Sequence, residues 1–473
     1  MKAFVPNDDS RKSEPLYIQL YRHIESEIMS GSLRAGEKLP SLRRMAESSG
    51  VSLTTASLAY TQLITEGYIK SVPRSGYFVA EIPGGPKPQK VQTGKSFNLT
   101  EFSIGSVEYT YDLSSFDFAK WKKCTSRVFN ENPELLFFES DVQGEEALRF
   151  EISKYLYSSR GVMADPSQIV IGAGTQQLSA HLIRIMRRMN IGYVCTEDPG
   201  YLPIQQIFRD NGFNIGKIPV SEDGIMIEKL PANIRCAVYV SPANQFPTGY
   251  VMPVGNRYRL LSWAKDNDSL ILEDDYDSEL RYFGKPIPPL KSLDTEGLVV
   301  YLGSFSSTLF PAIKISYMIL PDEMAKIFDS IKEDYTQTCS KTEQLALALF
   351  MAEGYYATGI KKLRSLYSQK LHAALQALSK YGKGFIETAG TRSGINMILK
   401  VKSTLTEDEL CSRAKSLKIN VEPLDVNYIG YKVNKKSESP VKALIFYYNQ
   451  IPLADMDEMI RAMAESFRNP QKA

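Results

Sequence analysis

Five short, uninterrupted apolar runs punctuate the chain between positions 168 and 302: Gln168–Ile171, Ile191–Cys195, Ala237–Val240, Leu270–Leu272 and Val299–Leu302. A strand wetted on one face alternates polar and apolar residues, so runs without alternation predict strands covered on both faces. Helix-like stretches separate them, among them Gln176–Arg188, Tyr201–Asp210 and Gly255–Asp266. This order predicts an α/β domain with a mostly parallel sheet. In such sheets ligands bind where loops leave the carboxyl ends of the strands.

Five loops therefore matter most. Gly172-Ala-Gly174-Thr175-Gln176-Gln177 opens a helix. Its glycines let backbone amides approach an anion, and the helix N-terminus favours negative charge. Taken alone it equally suits a tight connection. Glu197-Asp198-Pro-Gly-Tyr201 is an acidic turn that offers an aromatic face, and Ser241–Gly249 carries Asn244. Leu272-Glu-Asp-Asp-Tyr-Asp277 places a carboxylate cluster at a strand end, which by itself reads as a solvated acidic turn. Leu302–Leu309 is rich in serine and is followed by Pro311 and Lys314.

A length of 473 residues allows two to four domains. One composition break is clear: Glu81–Ser96 holds three Pro, three Gly and no apolar periodicity, so 81–96 is expected to be an exposed linker. It separates residues 1–80 from residues 97–473. The larger part is expected to comprise a large subdomain to about 325 and an α+β subdomain over about 370–473.

In the smaller part, Tyr17, Leu20, Tyr21, Ile24 and Ile28 recur at helical spacing, and Gly31 closes the helix. Ser41 is placed to cap a second helix, Leu42–Glu47, and Gly50 supplies the turn. Ser52 is placed to cap a third helix running to Gly67. Tyr68–Val72 and Gly76–Val79 then alternate like two strands around Pro73-Arg74-Ser75. The pattern is a winged helix-turn-helix, mostly α. Such a unit offers the first side chains of its recognition helix to base edges and fixes register on phosphates with flanking hydroxyls and cations. Here those are Ser52, Leu53, Thr54 and Thr55, supported by Ser41, Arg43 and Arg44, with Arg74 and Gly76 on the wing. A small helical domain for protein docking is the alternative reading.

Charge adds little at the level of the whole chain, because 56 Lys+Arg face 54 Asp+Glu. Residues 1–80 carry 10 and 8 of these, so the entire positive excess lies in the proposed DNA reader. A hydrophobic share of 43% excludes a disordered or collagen-like chain. No apolar stretch is long enough to span a membrane, and Met1–Ser10 lacks the apolar core of a signal peptide. Five scattered cysteines without a C-x-x-C pair predict a reduced, cytoplasmic protein. Three distant histidines argue against a His-based metal site.

The run Leu39-Pro-Ser-Leu-Arg-Arg-Met-Ala46, with Val51-Ser52, Ala59-Tyr60, Leu63, Glu66-Gly67-Tyr68 and Gly76-Tyr77-Phe78-Val79, resembles the GntR-type DNA-binding domain over residues 14–80. The resemblance implies double-stranded operator DNA as a partner. Leu53 departs from it, standing where the family commonly has an Arg that reads guanine or grips phosphate. The five loops in their order, with Gly144-x-x-x-Leu148-Arg149, Tyr155-Leu156 and Arg160-Gly161-Val162, resemble the aminotransferase class I family over about 105–465. That is the fold-type I, pyridoxal-phosphate-dependent architecture. The fusion of the two resembles the MocR/GabR-type transcriptional regulators.

The resemblance implies a role for each residue. Thr175 and Gln176 would hold the phosphate of pyridoxal 5'-phosphate, and Ser304, Ser306 and Lys314 would complete the cup. Lys314 stands where many relatives have Arg, giving a point charge in place of a bidentate fork. Tyr201 would stack on the ring, Asn244 would line its edge, Asp274 would pair with the ring nitrogen, and Tyr276 would bond the phenolic oxygen. Asn396 replaces a family His, and Lys442 is one candidate for an effector carboxylate.

The pattern breaks at Ser307, which occupies the family's Schiff-base lysine position. A hydroxyl forms no imine with the pyridoxal aldehyde, so no catalytic residue is assigned and ordinary aminotransferase activity is not expected. Lys285, Lys291 and Lys341 read as surface lysines, not substitutes. The site is expected to hold the cofactor without a covalent link; another ligand, or an engineered serine, are the alternatives. The chain is thus expected to be a homodimeric transcriptional regulator that senses a B6 vitamer or an amino-acid derivative. An active aminotransferase and a cofactor-free dimerisation scaffold are the competing readings.

Overall fold

The computed structural model describes residue 4 and residues 14–81, 112–282, 287–391, 393–429 and 440–468. Beyond Glu81 the expected linker lies outside the described residues, as does Lys285. The chain divides into two units, Met1–Gly105 and Ser106–Ala473.

The first unit is a winged helix-turn-helix: α1 (Leu16–Met29), α2 (Leu42–Ser49), α3 (Leu53–Thr65), β1 (Ile69–Val72) and β2 (Gly76–Val79). The caps read from the sequence are present. The Ser41 side chain accepts the Arg44 N–H at the start of α2, and Ser52 accepts the Thr55 N–H at the start of α3. Gly50 ends α2 at φ 65, a left-handed conformation that glycine adopts without strain. Leu20 and Ile24 of α1, Met45 of α2, and Ala56, Ala59 and Leu63 of α3 bury together with Ile69 and Val79. Tyr60 stacks on Tyr77 at 4.9 Å and donates to the Pro40 carbonyl, tying the recognition helix to the wing.

All five apolar runs are strands of the second unit: β3 (Ile169–Gly172), β4 (Tyr193–Asp198), β7 (Ala237–Val240), β8 (Leu270–Asp274) and β9 (Val299–Ser304). Three further strands join them: β5 (Asn214–Ser221), β6 (Gly224–Ile225) and β10 (Ser316–Ile319). The eight-stranded order is β3-β10-β9-β8-β7-β4-β5-β6. Strands β9, β8, β7, β4 and β5 run parallel, whereas β10 is antiparallel to both β3 and β9. The additional strands escape an apolar-run search for physical reasons. β5 exposes Asn214, Lys217 and Pro219 near the sheet edge, and β10 opens on the polar Ser316.

Helix Thr175–Arg188 covers one face of the sheet with Leu178, Leu182, Ile185 and Met186. Helices Phe118–Glu131, Glu146–Arg160 and Lys341–Ala352 cover the other with Cys124, Ile152 and Leu347. The 27-residue helix Tyr355–Tyr381 leads to a second, four-stranded antiparallel sheet. Its strands are β11 (Ile386–Ala389), β12 (Met397–Lys402), β13 (Val421–Pro423) and β14 (Val441–Phe446), in the order β11-β12-β14-β13. Helices Glu407–Ser416 and Met456–Arg468 pack on it through Leu410, Ile460 and Met463. Among the described residues no helix is long and apolar enough to cross a membrane.

Candidate functional site

In the first unit Arg43, Arg44, Thr54 and Arg74 are exposed, as a DNA-facing surface requires. Thr55 is half-buried and shares a 2.8 Å hydrogen bond with Ser52, so both hydroxyls serve the helix start. Arg74 and Gly76 take positive φ, 63 and 110, which folds the wing tip back into β2. Leu53 is half exposed at the first position of α3. An apolar side chain there can touch a thymine methyl but cannot fork a guanine.

In the second unit the loops leaving β3, β4, β8 and β9 converge on one cavity of about 570 Å³. Its lining includes Thr175, Gln176, Tyr201, Asp274, Tyr276, Ser304, Ser306, Ser307 and Lys314. At one end Gly174, at φ 90, precedes a helix whose first turn has no side-chain cap. Its leading N–H groups are therefore available to an anion. Ser304 sits at the end of β9, accepting from Ser316 Oγ at 3.1 Å and from the Ser306 amide at 3.3 Å. Lys314 brings a cation to the same cavity from a left-handed backbone position, φ 47.

The carboxylate cluster is not a solvated turn. Glu273, Asp274, Asp275 and Asp277 are all buried, because β8 lies inside the sheet and its end is roofed by neighbouring loops. Glu273 accepts the Leu290 and Lys291 amides, each at 2.8 Å. Asp275 is gripped by the Arg160 guanidinium at 2.8–3.0 Å and also receives the Tyr301 and Ser278 hydroxyls. These two carboxylates are used up in holding the site's frame. Asp274 and Asp277 face the cavity instead. Tyr239 donates to Asp274, and burial pushes that carboxyl up to about 7, with Asp275 and Asp277 adding to the rise. Burial likewise pushes Glu197 up to about 8, despite hydrogen bonds from Gln245 and the Ser241 amide. For Asp277 the value is about 6, burial again raising it while a hydrogen bond from Ser307 opposes.

Among the described residues, the buried side-chain atoms without a hydrogen-bond partner include the Tyr276 hydroxyl, Asn244 Nδ2 and Asp277 Oδ1. Asn244 does not line the cavity. It is buried, its Oδ1 taking the Ser393 hydroxyl at 3.0 Å. Gly394 presses so close that a Cβ there would fall 2.5 Å from Asn244 Nδ2, so this contact between subdomains needs glycine. Tyr201 meets Phe246 edge-on at 6.3 Å on the cavity wall.

Three sequence expectations are corrected. Lys291 is not at the surface: it is half-buried and donates to the Val299 carbonyl at 2.9 Å. Lys341 is half-buried as well, 3.5 Å from Glu145, and neither lysine lines the cavity. Lys442 lies within β14, buried near Glu407 and away from the cavity, so it is not placed to hold an effector carboxylate. Sequence reasoning assigned no role to Tyr239, Phe246, Ser316 or Asp277. The spacing around Asp274 flagged the last of these, but nothing local marks the others, which reach the site from separate strands and loops. Among the described residues no cluster of His, Cys, Asp and Glu could hold a metal ion.

Residues 16–79 match the profile of bacterial regulatory proteins of the gntR family, and residues 100–423 match aminotransferase class I and II. The chain is 36% identical to the uncharacterized HTH-type transcriptional regulator YdeL of Bacillus subtilis, over 96% of this chain and 97% of that protein. It is 32% identical to the HTH-type pyridoxine biosynthesis transcriptional regulator PdxR of Corynebacterium glutamicum, covering 74% and 76%. Among solved structures, kynurenine aminotransferase of Pyrococcus horikoshii, in complex with PMP, superposes with a TM-score of 0.63 at 24% identity, covering 77% of this chain and 90% of that one.

Proposed function

The chain belongs to the HTH-type transcriptional regulators that join a gntR-family DNA-binding unit to an aminotransferase class I and II domain, and we propose that its large unit binds a phosphorylated B6 vitamer without a covalent bond. The observation that carries this reading is the orphaned, buried Tyr276 hydroxyl, which lines the same cavity as Asp274. Buried polar groups are costly unless something bonds to them, and a phenolic ring oxygen is a suitable acceptor for this hydroxyl. The donor set fits the remainder of such a molecule. Thr175 and Gln176 at the uncapped helix start, with Ser304, Ser306 and Lys314, would take the phosphate. Tyr201 would cover the ring. Asp274 would hold a proton on the ring nitrogen, and that cation would in turn bring the carboxyl down from about 7.

When bound, a pyridoxal cofactor supplies an electron sink. In this chain Ser307 would stand where the family's lysine stands, and it has no amine to form the covalent link. Binding would therefore act by favouring one conformation of a dimer over another, which shifts operator affinity. Exposed Phe129, Phe137, Phe138 and Phe150 on the helical layer support a homodimer, since apolar surface of this extent is usually covered.

Calorimetric titration of the full chain with pyridoxal 5'-phosphate, followed by borohydride reduction and intact mass measurement, tests the reading. Heat of binding with no mass increase is expected. A reduced covalent adduct overturns the assignment of Ser307, and absence of binding favours a cofactor-free scaffold.

A further inference from the structure

The carboxylates at the end of β8 differ in one respect that bears on ligand choice. Glu273 and Asp275 are saturated by backbone amides or by a guanidinium, as described above, and Asp274 receives Tyr239. Asp277 lines the cavity, is 2% exposed, and its Oδ1 has no partner. Among the described residues the Ser307 hydroxyl is the side-chain donor set against its carboxylate, and no salt bridge joins it to a cation. Its backbone is held at φ 58, a left-handed conformation that a non-glycine residue takes at some cost. A buried carboxylate with unused lone pairs is destabilising until a cation meets it.

We propose that Asp277, with Ser307 beside it, is the seat for a primary ammonium on the ligand, so that the site selects pyridoxamine 5'-phosphate over its aldehyde and alcohol counterparts. This rests on the B6-vitamer reading and on Ser307 standing at the lysine position. In relatives that amine belongs to the protein and meets the cofactor's aldehyde carbon. In this chain the protein has no amine at that position, and the ligand carries it on the same carbon. An ammonium gives Asp277 a charge-assisted hydrogen bond, about twice as strong as a neutral one. The alcohol of pyridoxine 5'-phosphate offers only the neutral bond, and the aldehyde of pyridoxal 5'-phosphate offers no donor.

The three vitamers share ring and phosphate and differ only at that carbon, so their affinities isolate the effect. Full-length protein is titrated with each by calorimetry at pH 8. Pyridoxamine 5'-phosphate is expected to bind roughly tenfold tighter than the other two, the difference between a charged and a neutral hydrogen bond. Asp277→Asn is expected to erase that preference while leaving pyridoxine 5'-phosphate within about threefold of its original affinity. Ser307→Ala, which keeps the carboxylate, is expected to retain the preference. Equal binding of all three by the unaltered protein, a uniform loss for Asp277→Asn, or loss of the preference in Ser307→Ala overturns the inference and leaves the vitamer reading intact. Failure of all three to bind overturns both.

Discussion

Replacing Asp277 by Asn will stabilise the ligand-free protein at neutral and alkaline pH. Burial raises this carboxyl from an ordinary 3.8 to about 6, with the Ser307 hydrogen bond working against the rise. The folded state thus holds the proton more tightly than the unfolded chain does. Stability from this group is greatest at low pH, falls as pH rises from about 4 through 6, and stays low above that. At 1.36 kcal/mol per pH unit the ionised side chain costs about 3 kcal/mol at pH 8 and about 1 kcal/mol at pH 4.5. Asparagine keeps the shape, still accepts the Ser307 hydroxyl, and tolerates the left-handed backbone as well as aspartate does. Removing the charge also relaxes Asp274, whose carboxyl Asp277 helps to raise. With about 2.1 cal/mol/K of unfolding entropy per residue, the large unit's Tm should rise by about 4 °C at pH 8. Scanning calorimetry of both proteins without ligand at pH 8, and urea unfolding at pH 8 and 4.5, measure this. A gain of equal size at both pH values, or a loss at pH 8, refutes the argument.

Leu53→Arg adds a cation at the exposed start of α3, so operator affinity should rise several-fold and the salt slope steepen by about 1, read by fluorescence anisotropy at two or more salt concentrations. Arg160→Ala strands the buried Asp275 carboxylate and should cost about 3–5 kcal/mol, seen as a lower urea midpoint. Ser307→Lys supplies the missing amine, and borohydride treatment with pyridoxal 5'-phosphate should then fix one phosphopyridoxyl group per chain by mass.

Local chemistry was enough for much of this protein. Ser41, Ser52 and Gly50 set helix ends with atoms three or four residues away, so the winged helix-turn-helix is legible in the sequence almost residue by residue. The apolar runs identified five sheet strands for a similar reason: a strand buried on both faces has no choice but to be apolar throughout. Glycine spacing and loop order also brought out most of the cavity's lining. Burial, in contrast, depends on what packs from elsewhere in the chain. Glu273 to Asp277 read as a wet acidic turn because a carboxylate's solvation is not written in its neighbours. Only the tertiary structure put Arg160, Tyr301 and Tyr239 against these acids, leaving Asp277 open to the cavity. The sequence alone therefore determined the two folds and the loops that line the cavity. The tertiary structure decided which charges there are already neutralised, because electrostatic pairing is a matter of distance in space and not of distance along the chain.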